Sequence, residues 1–351
     1  MQQRKVAIVI ENIAGKGGTE RVASGLANAL ARLPGYAVTL FSISGDRAFF
    51  PLDTAVTLRF MPGRRGGWPW HLALALRRGG FHAIIPVSMG RLSVIIAPYL
   101  RLLCPNSRLL LSEHVSFHQY PRLMKWLKLA VYRFSDRVIF LTRQDRDAIA
   151  RWVPQRKCLV IENVSPFPVQ SPRAEQQQPL ALAIGRLSHQ KGFDRLITAW
   201  QQIARQAPEW RLVIIGDGPE RGALQRQIDQ AELQESVQLL PATADIAAWY
   251  RRAGLYLMTS RYEGLPMVLI EAMSFGLPLV AYNCQTGPAE LIDDERNGYL
   301  IADGDHAQFC AKTLALIANP DLRQRCSQAS LLKAGRFTPE RIYPQWQQII
   351  T

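Results

Sequence analysis

Short apolar runs alternate with segments of helical period along almost the whole 351-residue chain, and this alternation restricts the fold more than any other feature. "VAIVIE" is followed by "ERVASGLANALARL", then "YAVTLFSI", "HAIIPVS", "RLLLSEH" and "RVIFLT". Strands separated by helices pair in parallel, and a parallel sheet needs helices on both faces. The stretch "VSPFPVQSPRAEQQQPL" at 164–180 interrupts the series with Pro, Ser and Gln, a linker composition. A second series then begins with "LALAIGR", "GFDRLITAWQQIARQ", "WRLVIIGDGP" and "ERGALQRQIDQAEL", and continues through "SVQLLP", "LYLMTS" and "PLVAYN". The expected architecture is α/β: two Rossmann-like, doubly wound parallel-sheet domains facing a cleft, with ligands at the carboxyl ends of the strands. Residues 1–165 form the first domain, 166–178 the linker and 179–336 the second domain. Residues 337–351 form a terminal helix packing back toward the first domain, with Thr338 as its cap and Pro339 at its first position. Pro344 lies inside that helix and is expected to kink or shorten it.

Charge separates the two halves. Residues 1–165 carry 24 Lys/Arg against 9 Asp/Glu, and residues 166–351 carry 18 against 19, so the net charges are +15 and −1. An anionic partner is therefore expected for the first half: nucleic acid, an anionic bilayer or a phosphorylated substrate. Cys104, Cys158, Cys284, Cys310 and Cys326 are scattered without Cys-x-x-Cys spacing, which fits a reducing cytoplasm and passive burial rather than disulfides or zinc. No apolar run reaches the length of about 20 residues that a membrane span requires. The first strand-like run is too short for a signal-peptide core.

The chemistry concentrates in two segments of the second half. In "GRLSHQKGFDRL" (185–196), Gly185 and Arg186 end a strand while Lys191 and Gly192 open a helix. A strand-to-helix loop with two cations and two glycines suits a phosphate group, or else carries two solvated loop charges. "SRYEGLPMVLIEAMSFGLPLVA" (260–281) places Glu263 ahead of a helix beginning near Pro266, with the amides of Gly264 and Leu265 at its positive end. A carboxylate there would repel phosphate, so its natural target is a neutral hydroxylated group such as a sugar. Glu271 lies among Leu269, Ile270, Ala272 and Met273, where solvation is awkward, and a carboxylate accepting bonds from vicinal hydroxyls is a common hold on a ribose. The pair reads as one acid at each end of a nucleotide sugar, with the diphosphate on the cations and amides between.

These blocks, with "VIIGDGPERGAL", "GKGGTER" and "SEH", make the chain resemble glycosyltransferase family 4, a retaining family of GT-B fold. The resemblance implies that Arg186 and Lys191 bind the donor diphosphate, that Glu263 meets the transferred sugar, and that Glu271 holds the ribose. It implies a base held largely by backbone near "LLPATAD", where this chain has Pro241 and Ala242 in place of a more usual glycine. It places His114, just past a strand, against the donor sugar, and gives Gly17 and Gly18 a role at the phosphate or acceptor. The glycine spacing in "ENIAGKGGTERVASGL" is not the dinucleotide fingerprint, and a tight strand–helix turn is an equally good reading of it.

The basic excess has a candidate location in "YPRLMKWLKLAVYRFSDR" (120–137). On a helical wheel Leu123, Leu127, Ala130, Val131 and Phe134 share an arc expected to face the core. Arg122, Lys125, Lys128 and Arg133, interleaved with Trp126, Leu129 and Tyr132, are expected to form a membrane or acceptor surface. "GRRGGWPWH" (63–71) has the same chemistry in a loop. The expected activity is transfer of a hexose or N-acetylhexosamine from a nucleotide-diphosphate sugar, with uridine as the family's implied base. The expected acceptor is a lipid-linked saccharide at the inner face of the cell membrane, for bacterial surface-polysaccharide assembly. No cofactor and no metal are expected, since Asp145/Asp147 reads as a helix cap and Asp303/Asp305 precedes a helix. A nucleotide-sugar epimerase shares the architecture but needs no lipid-facing surface. A nucleic-acid binder would use the same basic half, but no recognition module is present.

Overall fold

The computed structural model describes residues 3–15, 17–61, 66–171 and 178–351, which fall into two compact units. The first unit comprises Met1–Val164 with Pro339–Thr351, and the second Ser165–Thr338. Part of the expected linker, residues 172–177, and residues 63–65 of the basic loop lie outside the described residues.

The first unit is built on strands β1 (Arg4–Asn12), β2 (Tyr36–Ser44), β3 (Val56–Phe60), β4 (Ala83–Ser88), β5 (Arg108–Glu113), β6 (Arg137–Phe140) and β7 (Cys158–Val160). All pair in parallel in the order β3-β2-β1-β4-β5-β6-β7, so the winding reverses between β1 and β4. Helices α1 (Gly18–Ala31), α2 (Trp68–Gly79), α3 (Leu92–Leu103), α4 (Arg122–Phe134) and α5 (Arg143–Ala148) make the crossovers. Strands buried on both faces need no polar alternation, and β1 accordingly runs Val6–Ile10 without an exposed residue.

The second unit repeats the plan. Its strands are β8 (Leu180–Ile184), β9 (Arg211–Ile215), β10 (Val237–Leu240), β11 (Leu255–Met258), β12 (Leu279–Asn283) and β13 (Gly298–Ala302). They form a parallel sheet ordered β10-β9-β8-β11-β12-β13 that reverses between β8 and β11. Its helices are α6 (Phe193–Gln206), α7 (Arg221–Gln230), α8 (Ile246–Arg252), α9 (Met267–Ser274), α10 (Pro288–Leu291), α11 (His306–Ala318) and α12 (Pro320–Ala334). Trp200 on α6 is fully buried among Leu196, Ile197, Leu212 and Ile214.

The last helix, α13 (Pro339–Ile350), belongs to the first unit, where Ile342, Trp346 and Ile350 join the core under β1 and β2. His82, just before β4, meets the Ile350 carbonyl at 2.9 Å. The expectation that Pro344 shortens this helix is not met, because α13 continues unbroken to Ile350. Pro344 is the sixth residue, so it deprives the helix of one internal bond, and the burial of three large side chains offsets that loss. All five cysteines are buried and unpaired.

Helix α4 corrects the sequence reading most sharply. Lys128, expected on the surface, is fully buried, as is Tyr132, which packs edge-on to Phe140 at 5.9 Å. The supposed core arc instead faces out: Leu123 is 72% exposed, Leu127 42% and Phe134 59%, beside Trp126 at 64%. Of that arc only Val131 is buried, and Ala130 is exposed with the rest. Arg122 and Arg133 are exposed and Lys125 is half-buried, its ammonium 5.8 Å from the Phe117 ring. The wheel found the helix and its apolar stripe correctly. It assumed that the stripe meets the core, whereas an ion pair from Lys128 and the volume of Tyr132 orient the helix the other way. The packed helices α2 and α3 add Trp70, Ile95, Tyr99 and Leu102 to the exposed apolar residues of this unit, Trp70 and Tyr99 in edge contact at 6.4 Å.

Candidate active site

In the second unit the residues singled out by sequence follow the two strands between which the winding reverses, where doubly wound sheets hold their ligands. Arg186 and Lys191 follow β8, and Glu263, Gly264 and Leu265 follow β11. Arg186 is exposed and has no ion-pair partner among the described residues. The Lys191 stem lies across Gly185, where any Cβ would sit 3.2 Å from Lys191 Cδ. That path carries its ammonium to Glu263, with Nζ 2.6 Å from Oε1. The diphosphate cation and the sugar carboxylate expected from the sequence are therefore in direct contact. Gly264 and Leu265 immediately precede Pro266, the cap of α9.

The two loops are laced together by groups the sequence reading did not single out. Arg261 grips Asp194 through both terminal nitrogens, at 2.8 and 2.6 Å, and donates to the His189 carbonyl at 2.8 Å. Those Arg261 bonds hold the Asp194 carboxyl below its ordinary range despite partial burial. Thr259 Oγ1 donates to the Gly192 carbonyl at 2.8 Å, and Gln190 to the Tyr262 carbonyl at 3.1 Å. Gly192 has φ of +63°, and a Cβ on it would lie 2.2 Å from the Thr259 carbonyl oxygen, so this approach requires glycine. Thr286 Oγ1 fixes the Glu263 carbonyl at 2.6 Å. The Lys, Gly and Glu were visible as a motif; Arg261, Thr259 and Thr286 gave no local signal because their partners lie across the fold.

Glu271, on α9, is 6% exposed and accepts the Tyr250 hydroxyl on Oε2 at 2.8 Å. Tyr250 is held by stacking on Phe275 at 5.2 Å and Tyr256 at 6.1 Å. Burial raises the Tyr256 phenol well above its ordinary value; the Ile184 hydrogen bond opposes this, and Glu271 and Glu263 reinforce it. Both carboxylates thus bear on one tyrosine of β11, and Glu271 lies on the helix that Glu263 precedes. Pro241 and Ala242 are exposed after β10, and the Ala242 amide donates to Asp217 Oδ2 at 3.3 Å.

The first unit gathers a second set at the ends of β1, β4 and β5. Gly17 caps α1, and Gly18 is that helix's first residue. The Glu20 carboxylate folds back over this loop, within 2.5 Å of a Cβ built on Gly15 and 2.7 Å of one built on Gly17. The chain's own carboxylate therefore lies against the glycine loop that leads into this helix. His114 follows β5, its amide donating to the Ser88 carbonyl and its Nε2 lying 3.0 Å from Ser112 Oγ. Burial lowers the His114 pKa from 6.5 to about 4, so the ring is neutral at physiological pH.

Protonating this ring favours the unfolded chain. Its contribution to stability is complete above pH 6.5 and is lost as pH falls toward 4. Turnover measured from pH 5 to 8 is expected to show no step near 6.5 from this group. A kcat step near 6.5 that vanishes in His114→Gln would contradict the neutral ring.

Thr142 caps α5, its Oγ1 accepting the Asp145 amide at 3.1 Å, and Asp145 is the capping-box acid the sequence implied, accepting the Thr142 hydroxyl at 2.8 Å. Its other oxygen accepts from Ser116 Oγ at 2.8 Å and the Phe117 amide at 2.9 Å, which pins the segment after His114. That second role was not legible, since Ser116 lies far from Asp145 in sequence.

Residues 16–164 match the family described as Glycosyltransferase Family 4, and residues 164–332 match Glycosyl transferases group 1. The chain is 33% identical to the amylovoran biosynthesis glycosyltransferase AmsD of Erwinia amylovora, over 99% of each chain. It is 24% identical, over 99% of its length and 98% of the relative's, to an α-1,4-N-acetyl-D-galactosaminyltransferase of Campylobacter jejuni. That relative's name gives an undecaprenol-diphosphate-linked GalNAc saccharide as its substrate. Anabaena HepE, solved with UDP and glucose, superposes with a TM-score of 0.81 at 18% identity, covering 98% of this chain and 99% of that one. The two parallel α/β units are those of a GT-B fold. With full-length identity to AmsD and both halves matched, the chain belongs to glycosyltransferase family 4.

Proposed function

We propose that this glycosyltransferase moves a hexose or N-acetylhexosamine from a UDP-sugar to a lipid-linked saccharide, with retention of configuration and without a metal, in the assembly of a bacterial surface polysaccharide. The observation that carries the donor assignment is the Lys191–Glu263 pair following β8 and β11, with Glu271 on α9, the helix that Glu263 precedes. In this reading the diphosphate takes Lys191 and Arg186 together with the amides of Gly264 and Leu265. Negative charge builds on the leaving diphosphate in the transition state, and fixed cations and amides there lower the barrier. The displaced Glu263 carboxylate then accepts a hydroxyl of the transferred sugar, Glu271 accepts the ribose hydroxyls, and neutral His114 meets the sugar. Gly17 and Gly18 serve the acceptor once Glu20 swings away. The UDP in the HepE structure and the lipid-linked substrate named for the Campylobacter relative support donor and acceptor classes. Family membership disfavours the epimerase and nucleic-acid readings. The deciding experiment incubates purified protein with a panel of nucleotide sugars and a polyprenyl-diphosphate saccharide. UDP release that requires the acceptor is expected; release of another nucleoside diphosphate, or none, would overturn the assignment.

The membrane reading carries over to the first unit with its residues exchanged. No helix among the described residues is long and apolar enough to cross a membrane. Instead Leu123, Trp126, Leu127 and Phe134 would enter the headgroup boundary of the inner leaflet at the cytoplasmic face, with Arg122, Lys125 and Arg133 on anionic lipid. Lys128 and Tyr132 take no part. Flotation with vesicles containing anionic lipid is expected to weaken with salt. Trp126→Glu with Leu127→Glu is expected to abolish it while unfolding is unchanged. Binding that survives this double substitution would place the surface elsewhere.

A further inference from the structure

Beneath the exposed stripe of α4 lies a buried polar cluster that the donor-site reading does not use. Lys128 is fully buried and Glu113 is 3% exposed, and the two form an ion pair. Lys128 Nζ also donates to Ser93 Oγ at 3.0 Å, and Ser93 Oγ donates to Glu113 Oε1 at 2.7 Å. The Tyr120 ring covers the ammonium at 4.7 Å. Burial depresses the lysine, and Glu113 opposes that depression.

Glu113 is the last residue of β5, and His114 follows it directly. Side chains alternate along a strand, so the cluster grips β5 from the face opposite Ser112, whose hydroxyl holds the His114 ring. Ser93 lies in the first turn of α3 and Ser88 ends β4, and the Ser88 carbonyl accepts the His114 amide at 3.0 Å. Downstream, Asp145 fixes Ser116 and Phe117. The histidine therefore sits in a turn anchored from α4, α3 and α5. A fully buried ion pair is commonly no more stable than apolar groups of the same volume. What it adds is direction: three short bonds that place one backbone segment.

We infer that Lys128 is a positioning residue for His114, acting through Glu113 and Ser93 to hold the β5–α4 turn in register for glycosyl transfer. This rests on the reading that His114 meets the donor sugar. A displacement of about 1 Å at a reacting group costs up to about 10²-fold in rate, so the effect belongs in kcat rather than in donor KM.

The test uses the full-length protein and acceptor-dependent UDP release. Lys128→Met combined with Glu113→Gln removes both charges together, so no unpaired charge is left buried. This double variant is expected to unfold at nearly the parental temperature, with kcat reduced about 10- to 100-fold and donor KM changed less than about 3-fold. Introduced into His114→Ala, the same pair is expected to change kcat by less than about 2-fold, because the path it serves is already gone. Ser93→Ala, which keeps both charges, should show a smaller loss of the same kind and is read alone if the double variant does not fold. Parental kcat in the folded double variant would overturn the inference, as would losses that multiply in the His114→Ala background. Full turnover of His114→Ala itself would refute the His114 assignment, and the inference with it.

Discussion

Lys191→Ala is expected to lower kcat by about 10²–10³-fold, the effect of removing one preorganised charge donor from a developing anion. The fold should survive it. Lys191 lies on a short turn before α6, and its side chain is 19% exposed. The substitution leaves Glu263, 7% exposed, without the ammonium at 2.6 Å. An unsatisfied group of this kind costs about 1–3 kcal/mol, while the kinetic loss corresponds to about 3–4 kcal/mol of transition-state stabilisation. Steady-state UDP release and thermal unfolding on the same preparation separate the two. Near-parental kcat in a folded Lys191→Ala protein would remove the diphosphate from this site. Glu263→Gln provides the complementary measurement. It frees Lys191 for phosphate yet loses the acceptor for the sugar hydroxyl, so donor binding should persist while turnover falls.

The largest stability effect is expected at Lys128. Lys128→Met alone leaves the Glu113 carboxylate buried and unpaired, and breaking a buried pair from one side costs about 3–5 kcal/mol. A unit of this size loses roughly 2–4 °C of Tm per kcal/mol, so the first unit's unfolding transition should fall by about 6–20 °C. Adding Glu113→Gln should return most of that loss, because the penalty lies in the orphaned charge rather than in the missing attraction. If Lys128→Met alone unfolded at the parental temperature, the ammonium would be solvated, not buried. Arg122→Met, on the exposed side of the same helix, is the matched control and should change stability by no more than about 0.5 kcal/mol.

The architecture was readable because its signals are local. A parallel strand covered on both faces must be apolar throughout, and its crossover must be a helix, so the pattern in "VAIVIE" or "LALAIGR" carries the whole β/α plan. The donor motif was readable for a related reason. Gly185, Arg186 and Lys191 sit within one loop, and Glu263, Gly264 and Leu265 within another, and each loop runs from a strand into a helix. Arg261–Asp194, Tyr250–Glu271 and Asp145–Ser116 were not readable. Each joins residues about 20 or more positions apart, and a lone Arg, Tyr or Asp says nothing about where its partner will lie.

By itself the sequence determined the two wound sheets, the loops that carry the cations and acids, and the amphipathic period of α4. The tertiary structure alone decided which way α4 turns. Periodicity fixes the angle between an apolar stripe and a polar one, but not which of them meets the protein. Here Glu113 and Ser93 supply partners for Lys128 beneath the helix, and with those bonds made the ammonium can be buried while Leu123, Trp126 and Phe134 remain outside.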